Sequence, residues 1–410
     1  MKMMSRKYIS IASLLCFSFL AQSVAAEDLM AIYDLALEND PIFQQAQAYN
    51  QSAQEVTKQT RAALLPSIDL RANTSRSETD NVTFDSDGYE FTLSQTIYDR
   101  GKWANHSAAQ HGQSQSNAEF KSARQEIILY VAQVYFRVLR AIDNLAFAKA
   151  EKEANARQLD QTKQRFDVGL VAIIDVHESQ SSYDRSVASF IAAENDLDGA
   201  KEALREITGK YHDQLKLLDK KAPLIKPEPN DIDHWTRLAL DNNTDLLAAQ
   251  LQLKQAEDNV SFQRAQYQPR IILNAGYASS DSDAPDAINS DGTSISLNLA
   301  MNLFASGATN AAVNQAQHEL RAARAYLEQQ TRSTQRAARN AFLGAKAGIS
   351  RVKALGQAVV SSESALRASE AGFEVGTRTT VDVLISRRAL FSSQADYAGA
   401  RYDYIIQKLE

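Results

Sequence analysis

Apolar residues recur at helical spacing along two very long stretches of the chain, residues 102–166 and 308–373. In the first stretch the steps between apolar positions are three or four residues, at Ile127, Val131, Val134, Val138, Ile142 and Leu145. This spacing predicts α-helix. A helix of about 60 residues is about 90 Å long, so the pattern predicts a coiled-coil or tube-like assembly rather than a compact domain.

Four shorter segments alternate apolar and polar residues, which predicts strands with one apolar face. They are residues 67–77, 89–98, 270–278 and 294–303. Each has about 10 residues, near the length with which a tilted strand crosses a bilayer. The alternation fits a soluble hairpin with one buried face equally well. The acidic segments between the paired strands, residues 78–88 and 279–293, are expected to be loops.

A short motif occurs twice, 207 residues apart, at the end of each long helical stretch. The first copy is Phe166-Asp167-Val168-Gly169-Leu170, and the second is Phe373-Glu374-Val375-Gly376-Thr377. An aspartate follows each copy at the same distance, at Asp175 and Asp382. Glycine reverses a chain at no steric cost. The sequence therefore predicts two long helical hairpins, with their tips at residues 166–176 and 373–383.

The period of 207 residues indicates a duplicated domain rather than a short solenoid repeat. The predicted repeats are residues 27–222 and 234–410, each with two strands and one long hairpin. Residues 223–233, which include three prolines, are predicted to link them.

The chain begins with the pattern of an exported protein. A basic start, an apolar run over residues 9–20 and small residues at 24–26 predict a signal peptide over residues 1–26. The only cysteine, Cys16, lies within that run. No later segment approaches 18 consecutive apolar residues, so no transmembrane helix is expected.

Composition and motifs argue against two classes of function. Charged residues make up 23% of the chain and the net charge is -6, which disfavours a nucleic-acid binder. An exported enzyme has no supporting motif, because the sequence contains no phosphate-binding glycine loop and no Cys-x-x-Cys pair. No cofactor and no structural metal are expected.

The strand count constrains any membrane assembly. One chain supplies four amphipathic strands, fewer than the smallest usual membrane barrel contains. Open strand edges do not persist in hydrocarbon, because their backbone groups lack hydrogen-bond partners. If the strands cross a membrane, several copies must therefore assemble, and the count alone permits a dimer or a trimer.

Several segments resemble the TolC family of outer-membrane channels. They include the strand entry Leu65-Pro66, the run Gln158-Leu159-Asp160-Gln161-Thr162-Lys163-Gln164-Arg165-Phe166 and the run Val381-Asp382-Val383-Leu384. The resemblance covers residues 27–410. It implies a mostly α-helical homotrimer in the cell outer membrane. Its strands would form a 12-stranded transmembrane β-barrel, continued across the periplasm by an α-helical barrel.

The same resemblance implies a function and partners. The expected function is an exit duct for multidrug efflux pumps and type I protein secretion, without enzymatic activity. The expected partners are outer-membrane lipid, a periplasmic adaptor (membrane fusion) protein and an inner-membrane transporter of the RND or ABC class. The adaptor is expected to contact the hairpin tips, at Val168, Gly169, Leu170, Val375, Gly376 and Thr377. A purely structural alternative is that both glycines only permit the turns, but the recurrence of the flanking residues favours both roles together.

The resemblance also implies a periplasmic gate. It places Asp382 in a ring of carboxylates that would favour cations and attract blocking divalent ions. A local alternative is that Asp382 caps the helix that follows it, a role that suits Asp175 equally. Capping is expected of both residues, and the ring of Asp382 only.

Two positions of this gate depart from the family pattern. Ile385 stands where a second acidic ring residue is expected, and Phe373 stands where a tyrosine would bond Asp175. Phenylalanine lacks the hydroxyl for that bond. Arg378 is retained and is expected to hold Asp175 or a backbone carbonyl near it. The sequence therefore predicts a gate with fewer polar ties and an apolar girdle at Ile385.

A second class of function stays open at this point, an exported coiled-coil structural protein or adhesin with soluble strand pairs. The apolar faces of the strands distinguish the two hypotheses. A lipid-facing row belongs to a membrane barrel, and the candidate row is Ile295, Leu297, Leu299, Met301 and Leu303.

Overall fold

The computed structural model describes residues 26–79, 82–212, 214–219, 223–284 and 287–409. The predicted signal peptide lies outside the described residues, apart from Ala26. The helices and strands, in chain order, are α1 Leu29–Asn39, α2 Pro41–Ala62, β1 Ser67–Thr79, β2 Val82–Tyr98, α3 Arg100–Asp167, α4 Ile173–Thr208, α5 Ile232–Asn242, α6 Thr244–Ala265, β3 Arg270–Ser282, β4 Ser290–Ala300, α7 Ala308–Glu374 and α8 Thr380–Leu409. The order of two helices, two strands and two helices thus occurs twice.

The two longest helices are α3, with 68 residues, and α7, with 67 residues. Each is about 100 Å long and contains no proline. Helix α3 starts at a strong cap, because Asp99 accepts hydrogen bonds from the backbone N–H groups of Gly101 and Lys102. Each long helix pairs with the return helix of its own hairpin, α3 with α4 and α7 with α8.

Two pairs of helices, α1 with α2 and α5 with α6, are each separated by one residue that ends the first helix and caps the second. Asp40 ends α1 and accepts a 2.8 Å hydrogen bond from the N–H of Phe43, and Pro41 fills the first position of α2. Asn243 has the same role between α5 and α6, where it accepts a 2.7 Å bond from the N–H of Leu246. Among the helices that the structure describes, none is both long and apolar enough to span a membrane.

The four strands form one antiparallel sheet in the order β1-β2-β3-β4, so the central pair joins the two repeats. Directly paired residues share a face. The row Ile68, Leu93, Ala275 and Ile295 crosses all four strands and is apolar. The neighbouring row on the other face contains Ser94, Asn274 and Ser296. One face is thus apolar and the other polar.

The strand boundaries correct both predicted loops, since β3 continues to Ser282 and β4 begins at Ser290, inside the segment 279–293. Strand β2 begins at Val82, not near residue 89, and β1 continues to Thr79, so most of the segment 78–88 is strand rather than loop. The polarity was misleading because polar residues pair with each other there: Arg76 forms two 2.7 Å hydrogen bonds with Asp85 across the strands. Strand β4 ends at Ala300 and does not reach residue 303.

The main apolar core surrounds the middle of α3. Val131 and Leu139 of α3 are fully buried, together with Ile32 of α1 and Leu204 of α4. The Tyr135 hydroxyl donates a 2.7 Å hydrogen bond to the carbonyl of Lys216. Burial raises the pKa of Tyr135 to about 12, so the side chain stays neutral. Helices of both repeats contribute to this core, since Tyr402 of α8 belongs to it.

Replacing Leu139 by alanine should lower the free energy of unfolding by about 2–5 kcal/mol, because it leaves a cavity in a closed core. Leu170→Ala is the matched control. It removes the same atoms from a side chain that is 73% exposed, so the loss should be much smaller. Thermal unfolding followed by circular dichroism measures both. Equal losses in the two variants would show that the core is not centred on α3.

Candidate functional site

Both hairpin tips end in the same backbone turn. In the first tip, Gly169 has a left-handed φ of 75°, its N–H donates to the carbonyl of Phe166 at 2.8 Å, and the N–H of Leu170 donates to Arg165 at 2.8 Å. This pair of bonds closes the end of α3. A side chain at Gly169 would be strained by the positive φ.

The second tip repeats the turn. Gly376 has a φ of 78°, its N–H donates to Phe373 at 3.2 Å, and the N–H of Thr377 donates to Gly372 at 2.8 Å. The glycines thus have the structural role that the sequence predicts. The residues beside them point outward, because Val168 is 69% and Val375 is 75% exposed. The turn alone leaves these exposed apolar side chains unexplained.

Both aspartates of the motif lie in the first turn of the return helix, where each carboxylate accepts from the backbone N–H of the residue that precedes the helix. Asp382 accepts from the N–H and the hydroxyl of Thr379, each at 2.9 Å, and its own N–H donates to that hydroxyl at 3.2 Å. Asp175 accepts from the N–H of Ala172 at 3.1 Å. The predicted capping role is therefore present at both positions. The carboxylate ring predicted for Asp382 requires several chains and stays a prediction.

The cap also sets the charge state of Asp382. The backbone N–H of Thr379 holds the pKa of Asp382 below its ordinary value, and the Thr379 hydroxyl and the Arg378 guanidinium act in the same direction. Asp382 is therefore ionised at neutral pH, as an acidic ring at an entrance requires.

The other predicted gate residues lie at the same end of the molecule. The Arg378 guanidinium is 3.9 Å from the carboxylate of Asp382 in its own hairpin. The Phe373 ring lies under the guanidinium of Arg165, 4.7 Å from its centroid, so it joins the second hairpin to the first by a cation–π contact. Ile385 is exposed. A contact between Arg378 and Asp175 stays a prediction.

Sequence reasoning missed a pair of buried hydroxyl contacts near the tips. Ser179 donates to Thr162 at 3.2 Å between α3 and α4, and Ser369 and Ser386 share a 2.9 Å hydrogen bond between α7 and α8. The two pairs are related by the same offset of 207 residues. Small hydroxyl residues at matching offsets are the signal that would have found them. They let each hairpin pack closely without a large apolar side chain.

Sequence reasoning also missed Arg387. Its side chain is buried between α3, α7 and α8 and lines a groove of about 790 Å³ that runs between the two hairpins. Val383, Arg387 and Phe391 are spaced by four along α8, and all three line the groove. A lone charge in an otherwise apolar helical stripe is the signal that would have found it.

The comparisons with known proteins decide the family. The family model described as "Outer membrane efflux protein" matches residues 32–210 and 235–410. The chain belongs to the outer membrane efflux protein family. The two matched segments correspond to the two halves of the duplicated fold.

Relatives and a solved structure agree. Outer membrane protein TolC of Vibrio cholerae is 38% identical over 95% of this chain and 91% of the relative. The alkaline protease secretion protein AprF of Pseudomonas aeruginosa is 28% identical over 94% of this chain and 84% of the relative. The crystal structure of the outer membrane protein VceC from Vibrio cholerae superimposes with a TM-score of 0.79 at 19% identity, over 93% of this chain and 94% of VceC.

These likenesses confirm the predicted fold class and the location of the protein in the outer membrane. This protein is an exit channel of the outer membrane. The competing hypothesis, an exported soluble adhesin, is not favoured. Family members are channels rather than enzymes.

Replacing Asp382 by alanine should weaken the first turn of α8, since the N–H and hydroxyl of Thr379 then lose their acceptor. Asp382→Asn keeps an acceptor and should retain most of the protection of the first turn of α8 against hydrogen exchange. The pKa of Asp382 is lowered by folding, so its contribution is complete above the ordinary pKa of 3.8 and is lost as the pH falls through the lower folded-state value. Hydrogen exchange of residues 380–383 measures this. Equal protection in all three proteins would exclude the cap.

Proposed function

We propose that three copies of this chain close into one channel that carries drugs and secreted proteins out of the periplasm. The observation that carries the proposal is the open sheet, with its exposed apolar face. On that face Leu297 of β4 is 67% exposed in the single chain. The face therefore needs a cover, and for a family of the outer membrane that cover is lipid.

The sheet edges support the trimer. Within the described residues of one chain, the outer sides of β1 and β4 have no neighbouring strand. Backbone groups without partners are costly in hydrocarbon. Pairing β4 of one copy with β1 of the next removes every edge once the ring closes. Three copies give 12 strands, an even number within the range of membrane barrels.

The tips support docking of a periplasmic adaptor protein. The first tip is largely apolar on its surface, with Val168, Leu170, Ile173 and Ile174 all exposed. The second tip has Val375 and then Thr377 and Arg378. Exposed apolar side chains in a rigid turn are typical of contact sites. The adaptor would thus hold an apolar first tip and a more polar second tip.

The energy for transport comes from elsewhere in this proposal. The sequence contains no nucleotide-binding motif. We assign the driving step to an inner-membrane transporter of the RND or ABC class, joined to the channel through the adaptor. The name of the relative AprF, a protease secretion protein, favours a share in type I secretion.

The gate lies at the tips in this proposal. Three copies of Asp382 would form one carboxylate ring that favours cations and binds blocking divalent ions. Ile385 lies one turn further along α8 and is exposed in the single chain. Three copies of Ile385 would form the apolar girdle. Phe373 and Arg378 would hold the hairpins beside it.

Replacing Leu297 by lysine should prevent stable trimers in the outer membrane, because a lysine on the lipid face costs about 2–4 kcal/mol near the bilayer centre. Ser296→Lys is the matched control. It places the same charge on the adjacent residue of β4, on the opposite, polar face. Outer-membrane fractionation and the mass of the detergent-solubilised protein measure both. If both variants assemble like the wild type, the apolar face does not contact lipid.

Replacing Asp382 by asparagine should reduce cation preference and divalent block in single-channel recordings across a planar bilayer, because three charges leave the entrance together. Asp167→Asn removes an exposed charge from the first tip, at a position with no predicted part in the gate, and should change neither property. An unchanged cation preference in Asp382→Asn would show that the ring is not at Asp382.

A further inference from the structure

One buried arginine joins the two hairpins near their tips. Arg387 of α8 is 9% exposed. Its guanidinium donates to Glu370 of α7 at 3.1 Å, and to the side-chain oxygen of Gln158 and the backbone carbonyl of Ala154, both of α3, at 3.4 Å. A single side chain therefore contacts both helices of the second hairpin and the outgoing helix of the first.

This contact lies in a groove whose two sides differ in polarity. The α3 side is lined mainly by polar and charged residues such as Arg157 and Gln161, whereas Val383 and Phe391 on the α8 side are apolar. The next hydrogen bond between α3 and α8 in the described residues runs from Arg140 to the carbonyl of Gly399, at 3.1 Å. Gly399 is 12 residues from Arg387, about 18 Å along the helix. Between that level and the tip, the hydrogen bonds from α8 to α3 in the described part of the chain are those of Arg387.

The contact occurs in only one of the two repeats. The position 207 residues before Arg387 is Gln180, which donates to Asp184 of its own helix at 2.9 Å. The position matching Glu370 is Lys163. The duplicated fold therefore does not itself require an arginine there. The arginine belongs to the second hairpin, which also carries Asp382 and Ile385.

The chemistry of the site is specific for arginine. A planar guanidinium presents five donors in a fixed fork, which suits three acceptors on two sides. Gln158 is buried and Glu370 is half exposed. If the guanidinium is removed, the Gln158 oxygen loses a donor and Glu370 can turn to solvent. In the described residues, no other hydrogen bond then joins α8 to α3 near the tip.

We propose that Arg387 is a positioning residue that ties the second hairpin to α3 and thereby sets the resting aperture of the periplasmic mouth. The effect on aperture rests on the proposed channel function, whereas the tie itself does not. Because the tie is buried, salt screens it less than the exposed pair of Arg378 and Asp382.

The tie can be measured without any transport. Spin labels at Leu170→Cys and Val375→Cys, one on each exposed tip, report the distance between hairpins by pulsed electron resonance of the purified protein in detergent. The only natural cysteine, Cys16, lies in the predicted signal peptide. Replacing Arg387 by methionine should lengthen and broaden the tip-to-tip distance. Arg367→Met is the matched control, because it removes the same charge from an exposed position of the same hairpin, where Arg367 pairs with Glu363 of its own helix.

Single-channel recordings then test the consequence. The Arg387→Met channel should conduct about twofold or more above the wild type, because conductance rises with the cross-section of the narrowest part of a pore. Arg387→Lys keeps the charge but not the forked guanidinium, and its conductance should lie between those of the wild type and Arg387→Met. The conductance of Arg367→Met should match that of the wild type.

The outcomes separate the tie from the channel. Unchanged tip distances in Arg387→Met would overturn the proposal, whatever the conductance. Longer tip-to-tip distances with unchanged conductance would support the role of Arg387 in joining the hairpins, but would contradict its control of the aperture. A wild-type protein without conductance would contradict the proposed function, while the distances would still decide the tie. A loss of thermal stability in Arg387→Met without a change in distance would show a purely structural role.

Discussion

The structure depends on one constraint, the need of every backbone N–H and C=O group in hydrocarbon for a hydrogen-bond partner. A sheet of four strands satisfies its two central strands and leaves its outer edges open. One chain is therefore incomplete in a membrane, and in the proposed trimer the missing partners are further copies of the same chain. The central β2–β3 pair unites the two repeats, so each chain enters such a ring as one unit. The positions of the long helices depend on this sheet, because α3 and α7 are the elements that come next in the chain after β2 and β4.

The duplication gives two hairpins with the same backbone and different side chains. Both tips turn through a left-handed glycine, and both return helices begin with an aspartate cap. The surfaces differ, since Ile173 and Ile174 leave the first tip apolar while Arg378 makes the second polar. A ring of three chains would thus present two alternating kinds of tip. The side chains on such a surface have threefold rather than sixfold symmetry, so a partner can bind the two kinds of tip differently.

The sequence predicted the parts of the fold that local physics determines. Helical spacing and scarce prolines located α3 and α7, and the glycine motif located both turns, although the return helices begin three residues before the predicted tips end, at Ile173 and Thr380. The start of β2 was wrong because Asp85 is polar yet pairs with Arg76 across the sheet. Polarity alone does not separate a loop from a strand whose neighbours are also polar. Arg387 was missed because its partners, Gln158 and Glu370, are brought together only by the packing of three helices.

The packing changes in character along each hairpin, and that change suits a duct with a fixed middle and an adjustable mouth. Around the middle of α3 the buried side chains are apolar, such as Val131 and Leu139. Near the tips most of the buried residues are polar, such as Thr162, Ser179 and Arg387, although Leu159 and Val383 are buried there as well. Separating helices that pack through apolar side chains is unfavourable, because the apolar surface between them becomes exposed to water. Hydroxyl and guanidinium contacts can exchange their partners for water at a much smaller net cost. A mouth held by polar contacts can therefore open while the core around α3 stays closed.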